Sequence, residues 1–238
     1  MDLTRLKEAE ERFLILYPGG IMNPLMLEIA QKREGKHLVK LAQKSFSMEQ
    51  FDSPSHIADS MGVIVGQSPF ISLFEKVKLQ EAIHFMHDNH KQQLSAGMQE
   101  FLYGNQRSGF HQITSVLDGY KMAKWPVLTV CPSYCRPYEE IFIHPVTARK
   151  VIDYYQLEGL TYCASPAYDF YRAYREHILF LKNQADPSLQ GDNEDFCRFL
   201  IMSTNLYHSS APQFPVGARG HLKAGLENTG EGGVGGVG

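Results

Sequence analysis

WPVLTVCPSYCRPYEEIFIHP, Trp125 to Pro145, is the stretch on which the fold class turns. It sets four prolines among β-branched and aromatic residues. Its two apolar runs, Val127 to Cys131 and Glu140 to Ile143, have the length and composition of strands. Proline close to the ends of such runs places them at a sheet edge, because proline withholds a ladder donor. The expectation is a small antiparallel β-hairpin near 127–143, closed by a proline-rich connection.

On either side of this stretch the sequence reads as helix. Leu3, Leu6, Phe13, Leu14 and Tyr17 recur near a 3.6-residue period up to the break at Pro18-Gly19-Gly20. Asn23-Pro24, Ser53-Pro54 and Ser68-Pro69 each pair a capping residue with a first-turn proline and predict three helix starts. Apolar stripes continue through Leu79, Ile83 and Met86, then through Leu94, Met98 and Phe101, then through Phe110, Ile113 and Leu117. Beyond the hairpin, helix returns from Val146 to about Tyr155, again from Ser165-Pro166 to about Asn183, and briefly from Asp195 to Met202. The fold class expected is therefore mainly α: a compact multi-helix domain over 1–202 with a minor β-hairpin. Residues 203–238 read as a flexible tail, since Ala211 to Gly238 carry nine of the chain's 20 glycines and no apolar period.

The composition narrows the function classes. A chain of 238 residues buries enough surface to fold without metal or disulfide staples. A formal charge of -3 argues against a wholesale nucleic-acid coat. No apolar run reaches the length of a membrane span, and the opening residues lack the pattern of a secretory signal. The expectation is a cytoplasmic protein whose cysteines (Cys131, Cys135, Cys163 and Cys197) stay reduced. Cys131 and Cys135 are spaced C-x3-C with no matching second pair, which does not make a zinc ribbon.

Two constellations carry the functional expectations. His84, His87 and His90 recur at intervals of three, and His84 with His87 could share a helix face and chelate a metal ion. The Asp88-Asn89 pair beside them reads as a helix end. The second constellation is an aromatic and cationic segment from Lys121 to Arg175. It offers Trp125, Arg136, Arg149, Tyr168, Tyr171, Arg172 and Arg175 as contributors to one ligand surface. Arginine supplies a planar fork and the rings a stacking platform, a combination that suits an anionic or planar group. The plain alternative is a helix packing its tyrosines into the core rim with arginine stems lying over them. Between 121 and 182 eight basic residues face six acidic ones, a small excess for nucleic-acid contact. No G-x-S-x-G elbow or phosphate loop is present.

The leading expectation is thus a binding or interaction protein without catalytic residues or cofactor. Its partner would be a small anionic or planar ligand, or another protein. A metal-assisted hydrolase built on His84 and His87, and a nucleic-acid accessory protein, are the alternatives.

YPGG at 17–20, KWPVLT at 124–129, FIHPVT at 142–147 and SPAYDFYRAYRE at 165–176 together resemble a family of uncharacterised bacterial proteins with YPGG-like and Trp-Pro motifs. The resemblance covers roughly 1–202. It implies a common fold and brings no catalytic residues with it.

Overall fold

Helices form where apolar residues recur at the α-period, and proline marks the first turn of several. The computed structural model describes residues 3–32 and 35–210. Its first five helices are α1 (Leu3–Leu16), α2 (Pro24–Lys32), α3 (Gly35–Ser45), α4 (Pro54–Gln67) and α5 (Leu73–His84). Next come α6 (Asp88–Tyr103), α7 (Gln106–Gly119) and α8 (Trp125–Cys135). The chain continues with α9 (Pro145–Tyr155), α10 (Tyr168–Gln184) and α11 (Asn193–Ser210). Pro24, Pro54, Pro126 and Pro145 each sit in a first turn, where the missing N–H would have had no helical acceptor.

A single apolar core runs from Leu6 in α1 to Leu200 in α11. Within it α6 packs on α7 and α4, α3 on α8, and α11 on α1 and α9. The closest approach is between α6 and α7. A Cβ placed on Gly109 of α7 would lie 2.5 Å from the Gly97 carbonyl oxygen of α6, so only a residue without a side chain fits there.

The β-hairpin is not formed: among the described residues there is no strand. Trp125 to Cys135 is helix α8, and Trp125 through Pro132 are all buried. A short run that is apolar on every side satisfies a buried strand and a buried helix equally, and the neighbours decide between them. Here α3 and α4 cover α8, a packing that suits an all-round apolar helix. Thr129 spends its hydroxyl on the Trp125 carbonyl oxygen at 2.7 Å, in the manner of a helical threonine. Pro132 lies in the last part of α8, which ends at Cys135.

With Val127 to Cys131 helical, Glu140 to Ile143 has no strand to pair with. It stays without regular structure, and side chains replace the missing ladder. Asn193 Nδ2 donates to the Glu140 carbonyl oxygen at 3.0 Å, and the Ile143 N–H donates to Thr129 Oγ1 at 3.0 Å. Ile141 and Ile143 turn fully into the core.

Three boundaries also move. Ser68-Pro69 ends α4 rather than opening a helix. The next start is Ser72, whose hydroxyl and Glu75 form a reciprocal capping box. The helix after Ser165-Pro166 starts at Tyr168. α11 runs on to Ser210, past the expected end at 202, with Ser203 and Thr204 buried. Ala211 to Gly238, where the glycine-rich tail was expected, lie outside the described residues. Among the described residues no single helix is long and apolar enough to cross a membrane.

Candidate functional site

The seven residues expected to form one ligand surface separate into three groups. Trp125 is a core residue, 1% exposed. Its ring packs against Phe110 and Phe170, and its Nε1–H donates to the Cys163 carbonyl oxygen at 2.7 Å. Tyr168 and Tyr171 are also buried in the core, Tyr171 stacked on Phe110. Arg149 lies over the Tyr162 ring at 4.3 Å, and Arg172 sits exposed, 3.6 Å from Glu176 on the same helix. Arg136 and Arg175 share a concavity, an open one of about 550 Å³. The packed-helix reading therefore accounts for Trp125, Tyr168 and Tyr171.

Arg136 and Arg175 are already engaged. Arg136 pairs with Glu139 at 3.3 Å and covers the Tyr103 ring. Arg175 Nη1 donates to Glu140 Oε2 at 2.6 Å. Glu140 is almost fully buried and also accepts from the Tyr171 hydroxyl at 2.5 Å and from Gln106 Nε2 at 2.7 Å. Burial, reinforced by the Glu140 charge, pushes the Tyr171 phenol well above its ordinary range. The wall of this concavity holds Glu139, Glu140 and Glu176 against the two arginines, a balance that does not favour an anion.

The histidine row is split between two helices. His84 is the last residue of α5, His87 is the N-cap of α6, and the break between them removes the shared helical face. Asp88 opens α6 instead of closing a helix. His90 Nδ1 lies 2.8 Å from the Tyr120 hydroxyl. Among the described residues no group of three or more His, Cys, Asp or Glu side chains is gathered to hold a metal ion.

A second cavity, of about 360 Å³, was not read from the sequence. It is bounded by α3, the α4–α5 connection, α8, the 137–144 connection, α9, α10 and α11. Its walls are aromatic and aliphatic: Phe70, Tyr134, Phe142, Tyr174, Val151 and Ile201. Phe70 and Phe142 meet at 5.3 Å, ring centre to ring centre. Polar groups come from the start of α11 (Asp192, Asn193, Glu194 and Arg198) and from Ser133, Glu140, His144 and Thr147 on other elements. Asp192 Oδ1 accepts the Asp195 N–H at 2.8 Å and so caps that helix. The Asn193 N–H donates to the Pro137 carbonyl oxygen at 2.8 Å, and Asn193 Oδ1 accepts from Lys182 Nζ at 2.9 Å, fixing α11 to the 137–144 connection and to α10.

Arg198 is the unusual member of this wall. It is 7% exposed, with Nη1 on Asp195 and Nη2 on Glu194, both at 2.8 Å. Its Nε is buried and has no acceptor among the described residues. Burial raises the Glu194 carboxyl above its usual range against the opposing pull of Arg198. Burial, helped by the Glu194 charge, pushes the Cys197 thiol up to about 12.

In sequence, Asn193-Glu194-Asp195 followed by Arg198 reads as ordinary i,i+3 and i,i+4 pairing on a solvated helix. Nothing local marks the arginine as buried. The class that fold and site define is a mainly helical protein with a cavity of mixed apolar and polar lining. The chain matches no protein-family model, curated protein or solved structure.

Proposed function

We propose that this chain is a binding protein whose ligand is a small, largely apolar, planar molecule held in the cavity at the start of α11. The observation that carries this reading is the wall itself. Four aromatic rings and three branched aliphatic side chains, Val39, Val151 and Ile201, line about 360 Å³, with polar groups among them on α8, α9, α11 and the 137–144 connection. Apolar walls with a few fixed polar groups are the usual make-up of small-molecule sites, at volumes of roughly 300–1,000 Å³. The seven-residue surface expected from the sequence gives no comparable support, because its rings are spent in the core. The planar half of that expectation moves to this cavity, and the anionic half does not accompany it.

Titration with Nile red, an uncharged planar dye, tests the proposal. One saturable site per chain is expected, with enhanced and blue-shifted emission. Ile201 and Thr147 line the cavity without being core residues. Ile201→Trp and Thr147→Phe should each weaken the dye at least tenfold while the melting temperature stays within a few degrees. Dye binding of unchanged strength in both variants would place the dye elsewhere and overturn the reading.

A further inference from the structure

We infer that the outward face of α5 is the interface of a symmetric dimer, with α5 packed antiparallel on α5 of a second copy of this chain. The inference stands apart from the cavity, which no α5 residue lines.

α5 is apolar on two faces. Leu79, Ala82 and Ile83 turn into the core. On the other side Leu73, Phe74 and Phe85, the residue that ends the helix, are 77%, 71% and 74% exposed, and Val77 is 44% exposed. A helix that is apolar all round belongs in an interior. α8 meets that condition beneath α3 and α4, whereas α5 packs chiefly on α4 and leaves its other side to water. Leu73, Phe74, Val77 and Phe85 together present roughly 500 Å² of apolar surface, on the scale of 150–250 Å² for a whole aromatic side chain. A standard interface takes about 800 Å² from each partner, of which somewhat more than half is apolar. The α5 face supplies that share.

The order of residues on this face selects the occupant and its direction. Phe74, Lys78, Glu81 and Phe85 follow one another at steps of four, three and four, which keeps them on one helical stripe. The stripe reads apolar, basic, acidic, apolar. Turned end for end about its midpoint, it sets Phe74 beside the partner's Phe85 and Lys78 level with the partner's Glu81. A two-fold interface requires this self-complementarity, because each contact is made twice with the roles exchanged. A parallel pair would instead bring Lys78 against Lys78 of the partner subunit, like charge against like. Within one chain Lys78 and Glu81 already pair at 3.0 Å, both half exposed. The dimer joins two such pairs into a ring of alternating charge across the axis.

Sedimentation velocity of the full chain over a concentration series tests the inference. The unaltered protein should form a dimer with a dissociation constant in the micromolar range or tighter. Phe74→Glu and Phe85→Glu should each weaken it at least tenfold. Both positions are exposed, so the circular dichroism of the folded chain should not change. Lys78→Glu and Glu81→Lys should each weaken the dimer by placing like charges across the axis. The two exchanged together should restore it to within about threefold of the unaltered protein.

A chain that stays monomeric at every concentration overturns the inference. So does a dimer of unchanged strength in Phe74→Glu and Phe85→Glu, because it would then use another face. A double exchange no stronger than either single variant overturns the antiparallel arrangement, and the inference with it.

Discussion

Glu140→Ala tests the buried polar cluster that joins α7, the 137–144 connection and α10. Glu140 is 2% exposed, and its carboxylate takes three side-chain hydrogen bonds, from Arg175 at 2.6 Å, Tyr171 at 2.5 Å and Gln106 at 2.7 Å. Removing it strands the guanidinium of Arg175, whose side chain is only 18% exposed, and a fully buried Tyr171 hydroxyl. Breaking a buried pair from one side costs about 3–5 kcal/mol, chiefly because the remaining charge is left without compensation. Arg175 keeps some access to water, so the lower end, about 3 kcal/mol, is the expected loss. For a chain of this size that corresponds to a fall in melting temperature of roughly 6–12 °C.

Glu140→Gln keeps an acceptor for Tyr171 and should lose less than the alanine variant. Pairing Glu140→Met with Arg175→Met removes both charges and should recover part of the loss, since a buried ion pair replaced by apolar groups is often nearly neutral. Urea unfolding followed by circular dichroism at the helical band reads all four proteins. A Glu140→Ala midpoint indistinguishable from that of the unaltered protein would refute the reasoning, because it would mean that the cluster is solvated and its hydrogen bonds are replaced by water.

Two further outcomes are expected. Gly109→Ala should destabilise by about 1–3 kcal/mol, the cost of overpacking a well-filled contact, because its Cβ would meet the α6 backbone at Gly97 and Phe101. Gly119→Ala, where a Cβ meets nothing, should be tolerated, and equal melting temperatures for the two would count against the close α6–α7 contact. Cys135 and Cys197, whose thiols burial holds up to about 12 against an ordinary 9, should be alkylated at pH 8 about a thousandfold more slowly than in the urea-unfolded chain, in proportion to thiolate content. Because these pKa values are raised in the folded state, their stabilising effect is complete below pH 9 and is lost as pH rises toward 12. Rapid labelling of both thiols in the folded protein, or a urea midpoint that stays level across that pH window, would contradict this.

Most helices were legible because their apolar stripes have one interpretation. Ile57, Ala58, Met61, Ile64 and Val65 fit only an α-period, and the structure buries all five in α4. Ser53-Pro54 was a reliable start for the same reason: the proline removes a donor that has no helical use. Ser68-Pro69 looks identical in sequence and behaves otherwise. Ser68 is drawn inward, fully buried, with its hydroxyl 3.1 Å from that of Tyr134, a contact 66 positions away. The aromatic and cationic segment was correctly seen as unusual, but its rings belong to the core. Residue type alone does not separate a ring that stacks on a ligand from one that stacks on Phe110.

What the chain of residues determines by itself is helicity: an amphipathic period is a local property, carried by neighbours three and four positions apart. Tertiary structure decides what local patterns leave degenerate. Val127 to Cys131 is apolar on every side, so it became helix only because α3 and α4 close around it. Arg198 has the spacing of a solvated ion pair, and only the packing of α11 takes it out of water. Burial depends on residues far apart along the chain, and it is burial that separates the Arg198 ion pairs from the solvated pairs they resemble in sequence.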